Sequence, residues 1–188
     1  FIENPTDKSN RPDDLKVTIH DLGPHLEKMF LQAFVDGLHS PKDRPTAMNW
    51  ERSLVKTWDL LYPCDNPNCQ SKWFILLDAN HPVCPFCGTR IHNSEVVKLK
   101  LKKELRGKSG QWIHTDDLVV YHNMPLFAWH IYSNVFADEK ADRQLQAYIV
   151  KHQGQWLLIN QRVNGMKSPN GNIVPPGKAI LLKNGDHF

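Results

Sequence analysis

The chain has 188 residues, of which 40% are hydrophobic and 23% charged, and this composition is typical of a folded globular protein rather than a disordered one. Its formal net charge of +3 does not by itself indicate nucleic-acid binding. No apolar run of about 18 residues predicts a membrane span, and no charged segment followed by an apolar stretch predicts a secretory signal. Because the first residue is Phe1 rather than Met, we expect a fragment of a longer protein.

Two helices are predicted in the first third of the chain. Residues 22–36 carry apolar side chains at three-to-four spacing, with Asp21 placed to cap the start and Gly37 just past the end. A second helix is predicted for residues 47–61, with Thr46 as its N-cap. The short connector predicts that the two helices pack together, with both tryptophans of the second helix buried. The apolar face of this second helix consists of Trp50, Leu54, Trp58 and Leu61.

Beyond residue 64 the helical period disappears and short strand-like segments follow. Residues 72–77 form the first of them, and residues 97–102 alternate apolar side chains with lysines, which predicts a half-buried strand with a basic outer face. After Trp112 the remaining segments are separated by turn residues, a rhythm typical of an all-β sandwich or barrel. These segments are 118–121, 129–132, 146–151, 155–159, 171–174 and 178–182. We therefore predict an α+β chain with a helical part, a metal module and a β-rich part.

Four cysteines fall in two close pairs within 24 residues, Cys64-x4-Cys69 and Cys84-x2-Cys87. Proline and glycine around both pairs favour tight turns, which let two sulfurs converge on one point. The segment Cys84-Pro-Phe-Cys87-Gly has the form of a zinc knuckle, and two knuckles joined by a hairpin make a zinc ribbon. We predict one structural zinc ion bound by all four cysteines. Four thiolates fill a tetrahedral shell, which leaves no open position for catalysis.

Other interpretations of the cysteines are free buried thiols, disulfides, or a redox role for the Cys84–Cys87 pair. A redox role would need a strand-to-helix context, which is missing here. His81 and His92 lie nearby in the sequence and could replace a cysteine as ligand. The paired spacing without a secretory signal favours a metal in a reducing compartment, so we expect a cytoplasmic protein.

The N-terminal part resembles the end of a protein-kinase C-lobe. Arg44-Pro-Thr-Ala-Met-Asn-Trp50 is similar to the end of that lobe, and Phe34–Pro45 looks like the stretch joining its last two large helices. Ser9-Asn-Arg-Pro12 is similar to the loop ahead of them in some bacterial kinases. The resemblance covers about residues 1–62. It implies that Arg44 corresponds to the arginine that binds the glutamate of the Ala-Pro-Glu motif, and that glutamate would lie upstream of this chain.

The groups that kinases use for chemistry are missing from this sequence. It has no Gly-rich phosphate loop, no strand lysine in a Val-Ala-Ile-Lys context, no His-Arg-Asp and no Asp-Phe-Gly. Phosphoryl transfer needs those groups to hold metal and phosphates. We therefore expect no catalytic residues and no enzymatic activity in this fragment.

The C-terminal part resembles a forkhead-associated (phosphopeptide-binding) domain over roughly residues 112–188. Trp156–Asn160, Asn170-Gly-Asn172 and Gly177–Asp186 follow the order of that family. The family grips phosphate with an arginine after glycine and a Ser-x-x-His stretch, and neither pattern occurs in this chain. We expect this part to bind its partner with an affinity that does not depend on phosphorylation. The alternative is a relocated phosphate site formed by Asn160, Arg162 and Asn164.

Three parts are thus predicted: residues 1–62 as a kinase C-lobe tail, 63–93 as a zinc ribbon and 94–188 as a forkhead-associated-like sandwich. This order resembles the C-terminal region of bacterial serine/threonine kinases, in particular the kinase of the tellurite-resistance phosphorylation triad. The resemblance implies a non-catalytic regulatory region for protein interaction. Its implied partners are a von Willebrand A-type protein and a PP2C-type phosphatase.

A nucleic-acid-binding zinc ribbon is the alternative function. It is indicated by the cation cluster of residues 98–108 together with Trp73 and Phe74. Alternating lysines on a strand also mark a solvated or edge-protecting face, and nucleic-acid binders carry a larger basic excess. We therefore expect a protein partner rather than nucleic acid or a membrane.

Overall fold

The structure is a computed structural model that describes residues 4, 6–9, 11–91, 96–138 and 140–187. Within these residues it contains α-helices and antiparallel sheets, so the α+β prediction is confirmed. The chain separates into two compact units. The first unit consists of Phe1–Lys100 with Thr115–Val119, and the second of Leu101–His114 with Val120–Phe188. In the described part of the chain, no helix combines the length and apolar character needed to cross a bilayer.

The first predicted helix is confirmed, but its geometry changes along its length. The predicted cap is wrong, because Leu22 is the N-cap of the α-helix and the Asp21 carboxylate instead accepts a hydrogen bond from the Thr18 N–H at 2.7 Å. Gly37 follows the helical segment with φ of −87°, so it is not the left-handed C-terminal glycine that the sequence predicted. A 3-10 turn at Ile19–Leu22 leads into helix α1 at Gly23–Leu31, and a π-helical turn at Gln32–Asp36 follows. Gly23 has φ of +78°, and a Cβ there would lie 2.9 Å from the side chain of Ile75. A glycine therefore permits both the sharp entry into α1 and the close approach to Ile75.

Helix α2 spans Ala47–Trp58 and begins at the predicted cap. Thr46 Oγ1 accepts a hydrogen bond from the Asn49 backbone N–H at 3.3 Å, and Asn49 Oδ1 accepts one from the Thr46 N–H at 2.9 Å. This reciprocal pair satisfies two donors that the first turn would otherwise leave unpaired. The helix ends before the predicted residue 61, because the chain enters a strand at Leu61.

The covered face of α2 differs from the predicted one. Trp50 is half-buried and meets the Phe30 ring edge-on at a centroid distance of 5.1 Å, and Thr57 is buried. Leu54 and Trp58 are 54% and 53% exposed, so the predicted burial of Trp58 is wrong. The buried Thr57 is one residue from Trp58, a rotation of about 100° around the helix axis, so the covered face leaves Trp58 outside.

Strands β1 (Leu61–Pro63) and β2 (Trp73–Ile75) pair antiparallel, with Tyr62 opposite Phe74. The Leu76 N–H donates to the Leu60 carbonyl at 3.0 Å and lengthens the pairing beyond the strand ends. Buried side chains from this hairpin and from more distant segments form the hydrophobic core of the first unit. This core consists of Leu60, Cys69, Phe74, Ile75, Leu76, Cys84, Ile91 and Val119.

Strands β3 (Val97–Glu104) and β4 (Trp112–Val120) pair in a two-stranded sheet. Apolar residues of β3 are half-buried while the lysines between them are exposed, so the predicted basic outer face is confirmed. The Leu105 N–H donates to the Gln111 carbonyl at 2.8 Å and closes the turn between the strands. Strand β4 begins at Trp112 rather than at the predicted residue 118.

The second unit contains a four-stranded antiparallel sheet in sequential order. Its strands are β5 (Met124–Leu126), β6 (Ala147–His152), β7 (Gln155–Asn160) and β8 (Ala179–Leu181). The strands predicted at 146–151, 155–159 and 178–182 are therefore confirmed. One face of the sheet is buried and includes Ile149 and Leu158. The opposite face is also apolar but is only partly covered. Its cross-strand rows are Tyr148–Ile159–Ala179 and Val150–Leu157–Leu181.

Two strands predicted in the second unit are wrong. Residues 129–132 fall largely in the short helix α3, Ala128–Ile131, where the Phe127 N–H donates to His130 Nδ1 at 3.1 Å. The alternating aromatic side chains there stack within the turn, with Phe127 and Trp129 centroids 4.6 Å apart. Residues 171–174 contribute one isolated bridge, Lys167 with Ile173, beside a turn.

Replacing Trp50 with Ala should lower the free energy of unfolding by about 2–3 kcal/mol, less than the 3–5 kcal/mol typical of a fully buried tryptophan. The same change at Trp58, which is mostly exposed, should alter it by no more than about 0.5 kcal/mol. Urea denaturation followed by circular dichroism measures both. Equal losses for the two variants would contradict the assignment of the covered face.

Candidate metal centre

The first cysteine pair is positioned by the β1–β2 hairpin and an Asn-centred turn. Cys64 follows β1 directly, and its N–H donates to the Lys72 carbonyl at 2.8 Å. The Asn66 carbonyl accepts from the Cys69 N–H at 3.0 Å, and Asn66 Oδ1 accepts from the Asn68 N–H at 2.9 Å. Such an Asx turn reverses the chain within a few residues, so the two sulfurs converge.

The second pair lies on a tighter turn. The Gly88 N–H donates to the Cys84 carbonyl at 2.8 Å, and the Cys84 N–H donates to the Thr89 carbonyl at 3.0 Å. Gly88 has φ of +72°, a conformation that a glycine adopts without steric cost. The sequence Cys-Pro-Phe-Cys-Gly therefore forms the loop that brings Cys87 back over Cys84.

All four cysteine sulfurs lie within 4.8 Å of one another. The Sγ atoms of Cys64 and Cys87 are 3.5 Å apart, and those of Cys69 and Cys84 are 3.9 Å apart. A disulfide would need about 2.05 Å, and the four thiols are free. A metal ion at about 2.3 Å from four tetrahedral sulfurs would separate them by about 3.8 Å. The residues present therefore fit a tetrahedral metal ion.

The cluster has a buried side and a solvent side. Cys84 and Cys69 are 0% and 2% exposed and belong to the hydrophobic core, whereas Cys87 is exposed. Because the ligand set is made only of cysteines, a bound ion would keep no position for a reacting water. The arrangement suits an ion that cross-links the chain rather than one that performs chemistry.

The thiols of the cluster differ in acidity. Hydrogen bonds from the side chain and then the backbone of Thr89 lower the pKa of Cys87 to about 6, and Thr89 Oγ1 lies 3.2 Å from the sulfur. Burial raises the pKa of Cys64 to about 12, and hydrogen bonds with the other cysteine sulfurs act in the same direction. Burial also raises the pKa of Cys84. Because a metal ion binds thiolates, its arrival would displace the protons of the cysteines whose pKa is raised.

The histidines near the cysteines are not brought together with them. His81 is exposed, and its Nδ1 lies 3.5 Å from Asp78 Oδ2 rather than at the sulfur cluster. His92 lies outside the described residues. Thr89 hydrogen-bonds the exposed Cys87, and the sequence analysis did not identify it. Its only sequence signal is its place directly after the knuckle glycine.

The Arg44 side chain is hydrogen-bonded within the chain. Arg44 Nε donates to the Gly37 carbonyl at 2.8 Å, and Arg44 Nη2 donates to the Leu38 carbonyl at 3.1 Å. Arg44 thus fastens the end of the first helical segment.

Asn160 is fully buried, and its side chain holds the loop after β7. Asn160 Nδ2 donates to the carbonyls of Val163 and Val174, and its Oδ1 accepts from the Val163 N–H. Arg162 Nη1 donates to Gln144 Oε1 at 2.7 Å. Asn160 is therefore committed to packing and is a poor candidate for a phosphate ligand.

Comparisons with protein families, curated proteins and solved structures give no match to this chain.

In metal-free protein that retains its fold by circular dichroism, Cys87 should react with iodoacetamide at pH 7 faster than the other three cysteines. A thiol of pKa about 6 is mostly thiolate there, whereas an ordinary thiol of pKa about 8.5 is mostly protonated. Thr89→Val removes the hydroxyl that stabilises the thiolate and should slow the reaction. Peptide mass spectrometry over time measures the rates. A faster reaction at Cys69, or an unchanged rate in the variant, would contradict this assignment.

Proposed function

We propose that the four cysteines bind one zinc ion in a zinc ribbon. Tetrahedral sets of four thiolates select zinc or iron, and the two-knuckle arrangement on short hairpins is typical of structural zinc. Zinc has no redox chemistry, which suits a site whose only visible role is to join Cys64 and Cys69 to Cys84 and Cys87. On this proposal the ion stabilises residues 63–93.

The zinc assignment predicts one equivalent of zinc per chain by elemental analysis, with Zn–S distances of about 2.3 Å by X-ray absorption. Cys84→Ser should lose the metal, and part of a binding free energy of about 10–16 kcal/mol would then be lost from folding. Ser71→Ala, an exposed change between the two pairs, is the control and should keep full occupancy. Freshly purified protein that holds iron, or no metal, would refute zinc.

We further propose that the chain is a non-catalytic regulatory and interaction region of a bacterial serine/threonine kinase in a tellurite-resistance phosphorylation system. The resemblance of residues 1–62 to a kinase C-lobe suggests it, and the lack of nucleotide-binding motifs supports a non-catalytic role. The helical pair joined by the Arg44 connector is compatible with that segment. Its candidate partners are a von Willebrand A-type protein and a PP2C-type phosphatase.

One observation carries the interaction proposal: the helical pair exposes large apolar side chains. Each is between 49% and 57% exposed, and two of them lie one turn apart on α2. Exposed apolar side chains that form a patch mark interaction sites, and Leu54 and Trp58, four residues apart on α2, lie on one face of that helix. We name this surface the helical apolar patch, which consists of Phe34, Leu38, Met48, Leu54 and Trp58.

We also propose a forkhead-associated-like sandwich for residues 94–188. The four-stranded antiparallel sheet supplies one layer, and its apolar rows on the second face support packing of a further layer there. The commitment of Asn160 to the core supports partner binding that does not depend on phosphate.

The interaction proposal predicts that Leu54→Ser with Trp58→Ser weakens binding of the von Willebrand A-type or PP2C-type partner at least tenfold, because two apolar contacts are lost. Ile173→Ser, at a residue 69% exposed in the second unit, is the control and should bind like the parent. Surface plasmon resonance with the full chain measures both. Equal weakening by the control variant, or no binding to either partner, would refute the proposal.

The same titration with phosphorylated and dephosphorylated partner tests the role of phosphate. Equal affinities are expected, since the phosphate-gripping pattern is absent. A loss of tenfold or more on dephosphorylation, about 1.4 kcal/mol, that Arg162→Ala abolishes would instead establish a relocated phosphate site.

A further inference from the structure

The end of the β3–β4 hairpin concentrates positive charge. We call residues Leu101–His114, which lie within the second unit, the hairpin tip. It contains four lysines and arginines and one acidic residue, so its formal charge equals the +3 of the whole chain. A small net charge for the protein therefore conceals a local basic site. The cations are Lys102, Lys103, Arg106 and Lys108.

These cations are available to a ligand. All four are exposed, and within the described part of the chain none of them makes an ion pair. Glu104, the acidic residue of the tip, directs Oε1 to the Gly110 N–H at 2.6 Å and so holds the turn. Among the described residues, Glu104 forms no ion pair with the neighbouring lysines.

The hairpin tip also carries an exposed aromatic side chain. Trp112 begins β4 and is 59% exposed, and the bond from Leu105 to Gln111 brings the start of β4 next to the end of β3. Exposed aromatic rings beside a basic backbone-binding surface are what proteins use to hold single-stranded nucleic acid, since every base can stack on a ring.

The arrangement of apolar groups favours nucleic acid over a membrane. Trp112 and Ile113 are consecutive in β4, so their side chains leave opposite faces of the strand. Neither face then offers the contiguous apolar surface that insertion into a bilayer requires. Lys102 and Lys103 are also consecutive, so cations likewise lie on both faces.

We propose that the hairpin tip binds single-stranded nucleic acid, with Lys102, Lys103, Arg106 and Lys108 contacting phosphates and Trp112 stacking on a base. These cations belong to the cluster of residues 98–108 that the sequence associated with a nucleic-acid-binding zinc ribbon, but the aromatic partner proposed here is Trp112 rather than the ribbon aromatics. Phe74 of the ribbon is 2% exposed and belongs to the core, so it cannot stack on a base. This activity goes beyond the proposed protein interaction and uses different residues.

The test is fluorescence anisotropy of the full chain with labelled oligothymidylate over a range of salt concentrations. Each neutralised phosphate of a single strand contributes about −0.7 to the slope of log K against log salt. Four cations should therefore give a negative slope no steeper than about −3. Lys102→Gln with Lys103→Gln should reduce the slope by about 1.4 and weaken binding about tenfold at low salt.

Matched control variants distinguish the effect of the tip residues from the effect of losing any positive charge or any aromatic ring. Lys167→Gln with Lys178→Gln makes the same change in net charge elsewhere in the second unit and should leave binding unchanged. Trp112→Ala should weaken binding about tenfold, while Phe136→Ala, at a residue 68% exposed, should not. Circular dichroism checks that all variants fold.

Several outcomes would overturn the proposal. One is no binding at low salt, and another is equal weakening by the tip and control variants. Tighter binding to duplex DNA, to phosphatidylserine vesicles or to polyglutamate than to oligothymidylate would assign the tip to another ligand. An unchanged affinity in Trp112→Ala would reduce it to a general anion site. The variant Leu54→Ser with Trp58→Ser should bind oligothymidylate normally, so this proposal and the interaction proposal can fail separately.

Discussion

The sulfurs of Cys69 and Cys84 lie inside the hydrophobic core of the first unit, so the candidate metal centre and the core are one piece of structure. The backbone pairing around them is short, since β1 and β2 have three residues each. Two-stranded sheets of this size are marginally stable in water. A metal ion held by four sulfurs would fix both loops at once, and its binding energy would become folding energy. With such an ion bound, the local fold would depend on this cross-link more than on the ladder of hydrogen bonds.

Other elements of the first unit are attached to the same core. Gly23 at the start of α1 approaches Ile75, and the Val119 N–H donates to the Asp59 carbonyl at 2.8 Å. Lys56 near the end of α2 forms an ion pair of 2.6 Å with Asp116 of β4. These contacts join helices and a strand to the segment that carries the cysteines. Disorder in the sulfur cluster would therefore affect the cysteine loops and, through the core, these helices and this strand.

The sequence was most informative where a ligand set or a cap imposes a local pattern. The cysteine spacing identified the four residues that the structure brings together, and Thr46 was identified as the N-cap because a hydroxyl there satisfies a first-turn N–H. Periodicity failed at residues 129–132, where alternating aromatic side chains stack within a short helix instead of forming a strand. Thr89, which hydrogen-bonds the Cys87 sulfur, could not be found by spacing, because this contact depends on how the knuckle folds back. Family assignments, in contrast, rest on resemblance alone.

The two sides of α2 show why its apolar stripe could be seen in the sequence while its contacts could not. The covered side carries Thr57, whose Oγ1 is buried and, among the described residues, has no hydrogen-bond partner. The large side chains of Leu54 and Trp58 remain more than half exposed. Burial of an unsatisfied hydroxyl beside exposure of two large apolar groups is unfavourable on both counts. A helix selected only for packing within this unit would have the reverse arrangement. This arrangement supports the interaction role proposed for the helical apolar patch.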